Sequence, residues 1–118
     1  MKILFIITMA ISMVACDNTD GNLVSVYIDD GAIQCESTGL SEKQTAQNLI
    51  EYGVDVFESS CGYISGIAIA AQCGLGDSNI NIHLINADKV VEAQNLGYEP
   101  VSILKNDEGL GYETIECQ

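Results

Sequence analysis

Arginine and tryptophan do not occur in the sequence, and histidine and proline occur once each, at His83 and Pro100. Basic charge is scarce. Four Lys face seventeen Asp and Glu, for a net charge of −13. Such a surface repels phosphate backbones, which argues against nucleic-acid binding, and it disfavours side-chain contact with anionic lipid. A single His removes the two-histidine metal motifs. No Cys-x-x-Cys occurs, so neither a zinc ribbon nor a thioredoxin-type redox pair is indicated. Gly-x-Ser-x-Gly is missing too, and with it the nucleophile elbow of serine hydrolases. Gly74-Leu75-Gly76 and Gly109-Leu110-Gly111 begin like nucleotide loops. Each has a non-glycine residue (Asn79, Thr114) at the third glycine position, so both read as turns. No cofactor motif is found.

The 118 residues suffice for one small domain. Residues 2–15 read KILFIITMAISMVA, one Lys followed by an apolar run without acid, Gly or Pro. Spanning a bilayer takes about 20 apolar residues, so the run is short for that purpose. A charged start, a short apolar stretch and small residues at its end form a secretory signal peptide pattern over 1–15. The run closes on Met13-Val14-Ala15-Cys16, which resembles the lipobox of bacterial lipoproteins, with Met13 where Leu is usual. The resemblance implies cleavage before Cys16, lipidation of Cys16 (a palmitate-type acyl anchor), and a periplasm-facing domain tethered to the cell envelope. Asp17 is similar to the inner-membrane retention signal of enteric lipoproteins. Several acyl chains on one Cys hold a protein firmly, at about 0.8 kcal/mol per buried CH₂. The expected partners are therefore the membrane, through the lipid, and an envelope protein.

Five Cys is an awkward number for an exported chain. Assigning Cys16 to lipid leaves Cys35, Cys61, Cys73 and Cys117, an even set for two disulfides in an oxidising compartment. Three pairings are open. The favoured one joins Cys61 to Cys73 and Cys35 to Cys117, which would pin the end of the chain.

Residues 16–22 read as a tether and 23–118 as one α+β domain. DNTDGN resembles a calcium loop, but aligning Gly21 with the sixth loop position puts Cys16 first and Tyr27 twelfth, and the EF-hand reading fails. LVSVYIDDGAIQCES, 23–37, reads as a hairpin turning at Asp30-Gly31, with Ile28 opposite Ile33 and Val26 opposite Cys35. SEKQTAQNLIEYG, 41–53, reads as a helix capped by Ser41 and Gln44 and stopped by Gly53, with Ala46, Leu49 and Ile50 as its apolar stripe. A strand is expected at 54–59. The stretch 60–79 admits helix or strand. Alternating Ile67, Ile69 and Ala71 favour a strand pairing with NINIHLI, 79–85, across GLGDS. In NINIHLI, Ile80, Ile82 and Leu84 take one face, Asn81 and His83 the polar one. Asn86 is placed to cap a second helix, 87–96, ended by Gly97. A last strand is expected at 98–104, at a sheet edge because of Pro100, and a polar tail follows. The order points to an antiparallel-rich sheet with two helices on one face, in a ferredoxin-like (split β-α-β) order with an extra N-terminal hairpin.

The expected function is that of a non-enzymatic binding domain on a lipid anchor. Two other readings stay open. A small thiol or redox enzyme would use Cys61, Cys73 and His83. A weak calcium-binding module would use paired acids such as Asp29-Asp30 or Asp107-Glu108.

Overall fold

The computed structural model describes residues 22–67 and 69–118. The signal peptide, Cys16 and most of the expected tether lie outside the described residues.

Strand β1 (Leu23–Asp29) leads through a loop to helix α1 (Glu42–Glu51). Strands β2 (Val56–Ile64) and β3 (Asn79–Asn86) follow. A 3-10 turn then opens helix α2 (Val90–Asn95), and short strands β4 (Glu99–Pro100) and β5 (Tyr112–Ile115) complete the domain. The five strands form one antiparallel sheet in the order β4-β1-β3-β2-β5. The protein is thus an α+β domain.

Local chemistry explains both helices. The Ser41 hydroxyl accepts from the Gln44 N–H at 3.2 Å, and Gln44 Oε1 accepts from the Ser41 N–H at 2.8 Å, so the capping box forms as expected. Each helix ends in a Schellman motif. Gly53 (φ 85°) donates to Ile50 O and Val54 to Leu49 O; Gly97 (φ 97°) donates to Gln94 O and Tyr98 to Ala93 O. In both, the residue after glycine is turned inward. Leu49, Val54, Ala93 and Tyr98 meet Val26 and Ile85 in the buried core. Register places Val26 opposite His83 and Val24 opposite Ile85, so this sheet face carries both helices. The α1 stripe is rotated from expectation. Its buried residues are Thr45 and Leu49, while Ile50 is exposed.

Several expectations are corrected. The N-terminal hairpin does not form. The Ala32 N–H, which would close it on Asp29, instead donates to Asp30 Oδ1 at 2.9 Å. Ile28 pairs with Asn81, and Val26 with His83 and Pro100, while Ile33 bridges Ser37 and Gly76. The strand that precedes β3 and pairs with it is β2, running on to Ile64, and Ile67 and Ile69 lie in an exposed loop. That loop is organised by Gln34, whose Nε2 donates to Ala70 O and Gly76 O and whose Oε1 accepts from Gln72 N. Asn86 makes no side-chain cap, and its Oδ1 is buried without a partner. The strand expected over 98–104 shrinks to Glu99–Pro100, at the sheet edge as Pro100 suggested, before a 3-10 turn. The tail holds β5, paired with Cys61–Ile64.

The disulfides differ from the favoured pairing. Cys35 joins Cys73, and Cys61 joins Cys117. The first ties the loop after β1 to the loop after β2, because Gln34 already draws them together. The second follows from β5 lying beside Cys61, which carries Cys117 to it.

Candidate binding cleft

A cleft of about 480 Å³ opens where the loop 30–41, the first turn of α1 and the edges of β2, β3 and β5 meet. Its lining mixes acids (Asp30, Glu42, Glu116) with apolar side chains (Leu40, Ile80, Ile115), Asn81 and the Cys61 half of a disulfide. The capping box sets Glu42 in the first helical turn, where a carboxylate also complements the helix dipole. Asn81, opposite Cys61 in the β2–β3 register, donates its Nδ2 to Leu40 O at 2.9 Å and ties the loop to the sheet. Gly39 (φ 76°) closes this wall: a Cβ there would lie 2.5 Å from Asp30 O and 2.7 Å from Ala32 N.

Asp30 is buried at the cleft's edge. Burial and the neighbouring Asp77 and Asp29 carboxylates push its pKa up to about 6, against the lowering effect of the Ala32 N–H. The carboxylates of Asp29, Asp30 and Asp77 lie within 4.8 Å of one another. Each also caps a turn: Asp29 Oδ1 accepts from Gly31 N, Asp30 Oδ1 from Ala32 N and Asp77 Oδ1 from Asn79 N. Asp107 and Glu108 sit in the turn that Asn106 and Gly109 close by mutual backbone bonds.

His83 is not on a solvent-facing polar side. It is fully buried on the helix-covered face. Its Nε2 lies 2.7 Å from Thr45 Oγ1 and its Nδ1 2.7 Å from Ser59 Oγ. Thr45 Oγ1 is also 3.3 Å from the Ser41 and Glu42 carbonyls. The network assigns the Thr45 hydrogen to a carbonyl, the imidazole proton to Nε2, and the Ser59 hydroxyl as donor to Nδ1. Burial lowers the imidazole pKa to about 4, with the Glu42 charge pulling weakly the other way. Tyr98 completes the buried set by donating its hydroxyl to Thr45 O at 2.6 Å.

Cys61, Cys73 and His83 are not assembled into a hydrogen-bonded set. The two cysteines belong to different bridges and both ring nitrogens are held by hydroxyls. Sequence reasoning missed Glu42, Asn81, Thr45, Ser59 and Asp77. A usable signal existed for Asn81, which alternates with His83 and therefore shares its face, and for Glu42, which the Ser41–Gln44 box places in the first turn. No protein-family model, no curated protein and no solved structure matches the chain.

Proposed function

We propose that the chain is an envelope lipoprotein, anchored through Cys16, whose domain binds a basic, partly apolar segment of another envelope protein without catalysing a reaction. The observation that carries this reading is the cleft, in which Asp30, Glu42 and Glu116 stand beside Leu40, Ile80 and Ile115. Its mixed lining suits a cation borne on an apolar stem, such as a Lys or Arg side chain. Support for export comes from the apolar run ending in Met13-Val14-Ala15-Cys16 and from the even set of four remaining cysteines. We place the domain in the ferredoxin-like arrangement, since the β-α-β-β-α-β order and the strand order β4-β1-β3-β2 fit it, with β5 added at the edge.

Mass spectrometry of native material tests the anchor: the first residue should be Cys16 carrying acyl chains, and a bare Cys16 dismisses it. Capture from detergent-solubilised membranes tests the cleft. Oxidised wild-type protein should retain a partner that high salt and Glu42→Lys both release. Retention unaffected by either dismisses the cleft as the binding surface.

A second reading is weak calcium binding, favoured by the convergence of Asp29, Asp30 and Asp77. It requires a clear rise in melting temperature at millimolar Ca²⁺, the range of weak extracellular sites, which Asp30→Asn removes. An unchanged melting temperature eliminates it.

A further inference from the structure

At the floor of the cleft, two oxygen atoms converge on a sulfur that cannot bond to them. Asn81 is 4% exposed. Its orientation is fixed by the Nδ2 donation to Leu40 O, so Oδ1 points at Cys61 Sγ, 3.9 Å away. Glu42 Oε2 reaches the same sulfur at 3.7 Å. A disulfide sulfur carries no hydrogen, so neither contact gives its oxygen a donor, and a buried amide oxygen left so is costly. Both oxygens are good ligands for a cation. Ligand atoms of Glu42, Cys61 and Cys117 all lie within 4.8 Å of one another.

The spacing fits a tetrahedral metal. Zinc bonds of about 2.3 Å to sulfur and about 2.1 Å to oxygen set sulfur–oxygen separations of about 3.6 Å and sulfur–sulfur separations of about 3.8 Å. The oxygens already stand at 3.7 and 3.9 Å from Cys61 Sγ. The two sulfurs have to part, and Cys117 lies beyond Ile115, the last residue held in the β5 ladder. Among the described residues the other bridge, Cys35–Cys73, has no such set: its surroundings are loop backbone stapled by Gln34.

We propose that reduction of the Cys61–Cys117 bridge creates a site for a borderline-soft divalent cation such as zinc, held by the two thiolates, the Glu42 carboxylate and the Asn81 amide oxygen. The chemistry balances with a dithiol as reductant. Two electrons and two protons pass to the bridge, two thiols form, and the donor becomes a disulfide. Zinc binding then releases the two thiol protons. The site is closed while the bridge is intact and open when it is cut, so metal binding reports the redox state of the compartment. It does not depend on the cleft's binding a basic partner, which is read on the oxidised protein.

Cobalt, a spectroscopic stand-in for zinc, tests this on the full chain reduced with a phosphine in the absence of oxygen. The reduced wild type should bind one Co²⁺ with thiolate charge-transfer and tetrahedral visible bands, which Zn²⁺ bleaches, and the oxidised chain should give neither. Replacing Cys35 and Cys73 by Ser should preserve the signal, and replacing Cys61 and Cys117 by Ser should abolish it. Glu42→Gln should keep the charge-transfer band but weaken affinity at least about tenfold. No binding by the reduced wild type overturns the proposal. So does equal binding by the two double-serine variants, or an affinity that Glu42→Gln leaves unchanged, which is the behaviour of thiols on an unfolded chain.

Discussion

Around Leu49 and Tyr98 the domain is held by apolar contact. Around Gln34 and Cys73 it is held by a covalent bridge and by hydrogen bonds to one side chain. The two regions also bury their titratable groups differently. His83 lies in the first, with a hydroxyl on each nitrogen. Asp30 lies beside the second, with two further carboxylates close by. The comparison separates two kinds of burial. In one, both ring nitrogens have a neutral partner and the group is held uncharged. In the other, a charge is retained at physiological pH against its neighbours. Position along the chain explains the contrast: the core draws on helices and strands whose backbone groups bond to each other, whereas the loops must find partners among side chains.

The largest effect is expected in the apolar region. Leu49 is fully buried at the end of α1, inside the Schellman motif that turns Val54 inward. Leu49→Ala should cost about 3 kcal/mol, from lost transfer energy and the cavity left behind. Urea denaturation measures it, and a loss below about 1 kcal/mol would mean that the core is not where most of the stability lies.

Next comes the bridge between the loops. Removing Cys35 and Cys73 together, by Ser at both, releases a link across 38 residues of sequence and should cost about 2–4 kcal/mol. Its signature is local as well as global. Amide exchange at Gln72 and Gly74, whose N–H groups bond to Gln34, should quicken more than global stability requires. Exchange at Ile85 should change only by the global amount. Uniform acceleration would show that the loops and the core unfold as one unit, and the distinction between them would fail.

How much of this was readable in the sequence follows the same division. The first helix was legible because its signals are local: Ser41 with Gln44, then Gly53, needs only positions a few residues apart. Gly97 and Pro100 were legible for the same reason. The hairpin misled because Asp30-Gly31 is a strong turn signal whichever way the chain leaves it, and the Asp30 carboxylate captured the N–H that a hairpin needs. The disulfide pairing depended on β5, a four-residue strand without a clear period, and on Gln34, a single side chain acting across 38 residues. Alternation in NINIHLI correctly divided the two faces. It could not say that His83 faces the helices, because Ile80 and Ile82 on one face of this central strand are as buried as Asn81 and His83 on the other, so burial does not follow polarity. The cleft itself was out of reach, since Glu42, Cys61 and Asn81 come from three separate elements.

A third prediction concerns His83. Its proton affinity falls on folding, so its contribution to stability is complete above about pH 6.5 and is lost as pH falls toward about 4. His83→Leu gives up two hydrogen bonds and should cost about 1–2 kcal/mol near neutral pH. It also removes a group that resists protonation in the fold, so the deficit should shrink as pH falls toward about 5. Denaturation midpoints across that range provide the check, and a deficit constant with pH would place the titration elsewhere.

Asp30 gives the smallest effect and the opposite slope. Its pKa is about 6 in the fold and near 3.9 in an unfolded chain. Between those values the folded state keeps a proton that the unfolded state releases, so stability falls as pH rises from about 4 to about 6 and stays lowered above that. Asp30→Asn removes the charge while leaving an oxygen to accept from the Ala32 N–H. Discounted for solvent at the cleft's edge, the gain should be about 1 kcal/mol near pH 8 and should vanish near pH 4. The two groups oppose each other in the wild type, which flattens its profile between about pH 4 and 6. In Asp30→Asn only the histidine slope remains, so the variant should lose stability more steeply than the wild type as acid is added. Parallel profiles for variant and wild type would show that Asp30 is no closer to its neighbouring carboxylates in solution than to water.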